Sequence, residues 1–355
     1  MIRNSLTLLG LLLFSPLSIS EPIEDVKLAL SNISQHLESL KKPQDLNQAY
    51  LQANIDTLAQ INREYSLNDV AKATILNAQL RATYEINHAR KSMGQDYDVS
   101  QAQSLLDTLD SYEQQGVSGL RDGQYQAGHI AAHQLDNFPL AHRYWFSCAQ
   151  ASHAGCMNIL ASGFESGEFV VSIDREQAAY WHARVVETGI DWNCAGIFSA
   201  LRLAKLSAIG VDSGKTLEQW LATAADLTEE MTKAERNVNC SPDLGLVANY
   251  VLTGFDEKWR AAIESYEFDA DHKWEAGRAA WLANFATAAS INELMPALDI
   301  MANDLERCSA AEEFAFKVRN DRNELQQTFS YMSGLSPHEC DSQNALVSRL
   351  IELAN

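Results

Sequence analysis

The chain has 355 residues, with 47 acidic against 27 basic side chains and a formal charge of −20. A surface this acidic repels phosphate backbones, which excludes nucleic acid as a partner class. The acid is spread along the chain instead of gathered in a tail, so it favours solubility and still admits a basic protein surface as a partner.

Residues 1–20 read as a secretory signal. Arg3 supplies the positive start, Leu6 to Leu17 the apolar run, and Ser18-Ile19-Ser20 the small residues that a signal peptidase reads. Cleavage is expected after Ser20, which places the mature chain in the periplasm or outside the cell. No later stretch reaches the roughly eighteen uninterrupted apolar residues of a spanning helix, so no membrane insertion is expected after cleavage.

From Ile23 onward the apolar spacing is helical and strand signals are nearly absent; Phe169-Val170-Val171 is too short to count. Pro43, Pro139, Pro242, Pro296 and Pro337 are expected to mark helix starts or breaks. Long amphipathic helices fill residues 21–116, as divergent repeats or a cap. Shorter units follow over 117–264, and 265–355 reads as a C-terminal helical cap.

The middle region repeats. Trp145, Trp181, Trp220 and Trp259 are separated by 36, 39 and 39 residues, in similar surroundings such as Ala141-His142-Arg143-Tyr144-Trp145 and Gln177-Ala178-Ala179-Tyr180-Trp181. Such periods belong to stacked helical hairpins, each too small to bury its own apolar face. The expected fold is therefore all-α, an α-solenoid of antiparallel hairpins, with these four tryptophans packing one hairpin on the next. Trp192, Trp274 and Trp281 fall outside the register and are the candidates for a partner surface.

Over about residues 123–262 the sequence resembles the Sel-one-like repeat, a relative of the tetratricopeptide repeat. Tyr144-Trp145-Phe146, Gly155 to Leu160 and Phe164-Glu165-Ser166-Gly167 carry the likeness. The resemblance implies an adaptor or assembly role in the cell envelope. Cys148 and Cys156 look like the within-repeat pair of the Helicobacter cysteine-rich branch, where that pair is disulfide-bonded.

Six cysteines, Cys148, Cys156, Cys194, Cys240, Cys308 and Cys340, fit up to three disulfides in an exported protein. Fifteen connectivities exist for six cysteines. Cys148–Cys156 is expected from the resemblance, and a helix–turn–helix brings such a pair within disulfide reach. For the rest, the sequence-nearest pairs are Cys194–Cys240 and Cys308–Cys340. No C-x-x-C pair points to zinc.

Chemical motifs are thin. His129 and His133 share a helical face at i, i+4, yet the glutamate of H-E-x-x-H is missing and no third ligand is apparent, although His142 or His153 could approach. Gly210-Val211-Asp212-Ser213-Gly214-Lys215-Thr216 has three residues between its glycines where a phosphate loop needs four. Ser39-Leu40-Lys41-Lys42 spells S-x-x-K, and some of the cysteine-rich branch is described as penicillin-binding, but S-D-N and K-T-G are absent. No catalytic residue, cofactor or metal ligand is assigned. The expected activity is binding a protein or peptide partner in the envelope. The alternatives are an envelope enzyme of penicillin-interacting or peptidoglycan-modifying type, or a secreted effector.

Overall fold

The computed structural model describes residues 21–39, 45–97, 99–169, 172–188, 195–233, 273–285, 287–301 and 303–354, and every regular element among them is a helix. The chain divides into two compact units, 1–156 and 157–355. That division falls inside the expected 117–264 array, at neither of its ends.

Unit 1 holds α1 (Glu21–Ser39), α2 (Gln48–Glu64), α3 (Asp69–Ser92), α4 (Ser100–Gln114), α5 (Arg121–His133) and α6 (Phe138–Gln150). Asparagine starts three of them. The side chains of Asn47, Asn68 and Asn137 accept from the backbone N–H of Tyr50, Ala71 and Leu140, which satisfies donors that the first turn leaves open. Pro139 sits in the first turn of α6, where its missing N–H costs nothing. Consecutive helices pack as α1/α2, α3/α4 and α5/α6, while α1 touches α3 and α3 touches α5. Alternate helices thus line up as a layer, because each hairpin covers its apolar flank with the next. Leu51, Ile55, Leu58, Ile75 and Ile86 fill the core at the amino-terminal end.

The helix α7 (Ala154–Ser166) spans the division between the units. Cys148, near the end of α6, and Cys156, in the first turn of α7, form a disulfide with α-carbons 6.1 Å apart.

Unit 2 continues with α8 (Arg175–Thr188), α9 (Ala195–Ala208), α10 (Leu217–Lys233), α11 (Lys273–Phe285), α12 (Ile291–Leu298), α13 (Asp304–Lys317), α14 (Arg322–Ser333) and α15 (Pro337–Leu353). Neighbours in sequence again pack together: α8 on α9, α9 on α10, α11 on α12, α13 on α14 and α14 on α15. A single apolar core runs from Ala178 through Trp220, Trp281 and Phe314 to Leu350, so the helices α11–α15 share a core with α8–α10. Cys308 and Cys340 join α13 to α15 with α-carbons 5.6 Å apart. Pro337 opens α15, whereas Pro296 lies within the last turn of α12 instead of breaking a helix; Pro43 and Pro242 lie outside the described residues.

Trp281, expected on a partner surface, is fully buried with its ring stacked on Phe285 at 4.1 Å; it is core, because an apolar indole on the packed side of α11 gains more from burial than from solvent. Trp192, Trp259, Cys194 and Cys240 lie outside the described residues, as does the side chain of Trp274.

Candidate partner-binding face

On α5, Tyr125, His129 and His133 follow one another at i, i+4 and i+8, so they share one side of the helix. On α3, Tyr84 and His88 do the same. Because α3 and α5 are neighbours in one layer, the two rows meet. Tyr84 stacks on His88 at 5.8 Å and reaches His129 at 5.7 Å; His129 contacts Tyr125 at 4.7 Å and His133 at 5.7 Å. His88 and His133 are exposed, while Tyr84, Tyr125 and His129 are half-buried.

The opposite side of α5 explains why this side stays outward. Ala127, Ile130 and Ala131 are wholly buried, and Gly128 lies directly under the indole of Trp145. Tyr144, next to that tryptophan, donates its hydroxyl to Asp110 on α4 at 2.8 Å, and Arg143 donates to the same carboxylate at 2.6 Å. Burial and Asp110 together raise the Tyr144 hydroxyl well above the usual phenol range.

At neutral pH Tyr84, Tyr125, His129 and His133 are uncharged. Burial, then the neighbouring His133 and His153, hold His129 down to about 4. Burial also lowers His133, with Lys91 and His88 reinforcing and Asp136 opposing. Burial raises the hydroxyls of Tyr84 and Tyr125, the first helped by Glu85 and the second opposed by Arg81. Neutral imidazoles and phenols both donate and accept hydrogen bonds, and their flat faces stack.

A second cluster lies inside unit 2. Lys205 on α9 is buried and donates to Glu312 of α13 at 2.7 Å and to Glu313 beside it. Arg202, one turn earlier, donates to Glu312 at 2.9 Å and to Glu165 of α7 at 3.4 Å. His182 of α8 places Nε2 3.5 Å from Glu165 and Nδ1 3.1 Å from the Ser199 hydroxyl. Burial by itself would raise Glu165, but Arg202, His182 and Lys205 outweigh it and bring it down to about 2. Burial, aided by Glu312 and opposed by Lys205, raises Glu313.

Serine, histidine and glutamate are the residue types of a nucleophilic triad. Here Ser199 is fully buried within α9 and Glu165 is bound by Arg202, so no acyl donor reaches the hydroxyl. The chain of charges fastens α7, α8, α9 and α13 together.

The motifs noted in sequence resolve as local structure. Thr216 caps α10 reciprocally with Gln219: the Gln219 N–H donates to the threonine hydroxyl at 3.3 Å, and the Thr216 N–H donates to the glutamine carbonyl at 2.9 Å. Lys215 lies over the Trp220 ring at 4.5 Å, and the Trp220 indole donates to Ser213 at 2.9 Å. Ser39 ends α1 and donates to the carbonyl of His36, while Lys42 lies outside the described residues. Trp145, Trp181 and Trp220 are each at most 4% exposed.

His129 and His133 stood out in the sequence; Tyr84, His88 and Tyr125 did not. A signal was there to find. Tyr84 and Tyr125 are 41 residues apart, and so are His88 and His129, so Y-x3-H recurs at the interval of one helical hairpin. The comparisons with known proteins leave the reading to the residues: no family model and no curated protein matches the chain.

Proposed function

We propose that this protein is an exported helical-hairpin scaffold that holds an extended segment of a protein partner in the cell envelope. The supporting observation is the run of five rings on α3 and α5: Tyr84, His88, Tyr125, His129 and His133. Hairpin arrays use aligned helices in this way, each offering a few side chains along one line. Rigid aromatic side chains give contact area at small entropic cost.

The two cysteine pairs and the absence of any spanning helix among the described residues are compatible with the export that the signal-like residues 1–20 lead one to expect. The likeness to Sel-one-like repeats supports the adaptor role, and the hairpin packing of unit 1 is in keeping with it.

Affinity capture from an envelope extract tests this, with the mature protein and its His88→Ala/His133→Ala variant as parallel baits. Both histidines are exposed, so the variant is expected to fold normally. The expected result is one protein retained by the wild type and reduced at least roughly tenfold on the variant, the loss of about 1.4 kcal/mol. Equal retention by the two baits would remove this face from the proposal, and recovery of background alone would remove the scaffold role.

A further inference from the structure

We propose that, once the Cys148–Cys156 disulfide is reduced, Cys148, His153 and Cys156 hold a zinc ion. Their three ligand atoms already lie within 4.8 Å of one another, and all three residues are buried. The cysteine α-carbons, 6.1 Å apart, suit either state, since two thiolates on one ion need about the same backbone separation as a disulfide.

The imidazole is turned the right way for a ligand. His153 Nδ1, on the cysteine side, accepts from the Cys156 backbone N–H at 3.3 Å, which leaves the ring proton on Nε2; zinc takes the Nδ1 lone pair in place of that N–H, which is one of the first-turn donors a helix leaves open. His153 Nε2 faces the Asp122 carboxylate at 3.7 Å. Metal-binding histidines are oriented by just this kind of carboxylate behind the ring.

Packing keeps the ring there. Tyr125 stacks on His153 at 4.8 Å. A Cβ at Gly155 would stand 2.9 Å from Tyr125 and 3.1 Å from His153, so glycine is what allows the ring to lie across the start of α7. Cys156 sits in the first turn of α7, where the helix dipole favours a thiolate. Two thiolates and a neutral imidazole cancel the charge of a divalent ion, which a buried site requires. The soft sulfurs select zinc over magnesium or calcium, and the fourth position falls to water.

The chemistry balances in two steps. A dithiol reductant gives two electrons and two protons to the disulfide and leaves as its own disulfide. Zinc then displaces the two thiol protons.

The test uses the full mature chain, reduced with excess dithiol without oxygen, desalted, and titrated with cobalt(II) as the spectroscopic probe. The reduced protein is expected to show thiolate charge-transfer and tetrahedral cobalt bands that zinc abolishes, and the oxidised protein neither. His153→Gln and the exposed-side-chain variant Asp122→Asn are each expected to weaken binding by roughly tenfold or more. Asp122 is half exposed, so its variant separates loss of the site from loss of the fold. No tetrahedral spectrum in the reduced chain would overturn the proposal. So would equal affinity in Cys148→Ser, His153→Gln and Asp122→Asn, which would assign the ion to other cysteines.

Discussion

Trp145 lies so close over Gly128 that a methyl group at residue 128 would stand 2.2 Å from the indole nitrogen. The contact seats α6 against α5 and so sets the side of α5 that carries Tyr125, His129 and His133. Gly128→Ala is expected to destabilise unit 1 by about 1–3 kcal/mol through overpacking. Trp145→Ala, which leaves a cavity, is expected to cost about 3–5 kcal/mol. Urea denaturation followed by far-UV circular dichroism measures both. A Gly128→Ala protein as stable as the wild type would mean that the helices slide apart without penalty.

The two disulfides close loops of different length, with sequence separations of 8 and 32. In the chain-entropy account they stabilise by roughly 2.6 and 3.7 kcal/mol. Cys148→Ser/Cys156→Ser is therefore expected to lower the denaturation midpoint less than Cys308→Ser/Cys340→Ser. The reverse order would place native-state contacts ahead of loop closure.

Acid should weaken unit 1 before unit 2. His129 titrates near 4 in the fold, against about 6.5 when unfolded, so the unfolded chain takes up the proton first as pH falls. The contribution is complete above about pH 6.5 and is lost as pH falls toward 4, by up to roughly 3 kcal/mol. His133, His142 and His153 are also lowered and act in the same direction. Glu165, lowered to about 2, contributes stability above its unfolded value of 4.5 that is lost only below it. Midpoints at pH 7.5 and pH 5.0 are expected to differ more for the wild type than for His129→Gln. Identical differences would take His129 out of the account.

Lys205 is expected to matter through what its loss strands. Lys205→Met leaves Glu312 and Glu313 buried with less cation beside them, at a cost of about 3–5 kcal/mol. Lys205→Met/Glu313→Met keeps the Arg202–Glu312 pair and should recover most of that loss. A double-mutant cycle by thermal denaturation reads the coupling, and additive losses would show that Lys205 and Glu313 do not act as a pair.

Local order was legible in the sequence because it is written in neighbouring residues. Helical spacing and two cysteines eight residues apart on either side of a turn depend on contacts within a dozen positions. Those features determined an all-helical chain and its hairpins. The tertiary structure alone decided which outward rings meet and which charges are buried. His129 finds Tyr84 across a neighbouring helix, and Lys205 finds Glu312 and Glu313 more than a hundred residues away. Trp281 lies in the core for the same reason: burial is decided by what packs against a helix, and the helix's own periodicity does not name its neighbour.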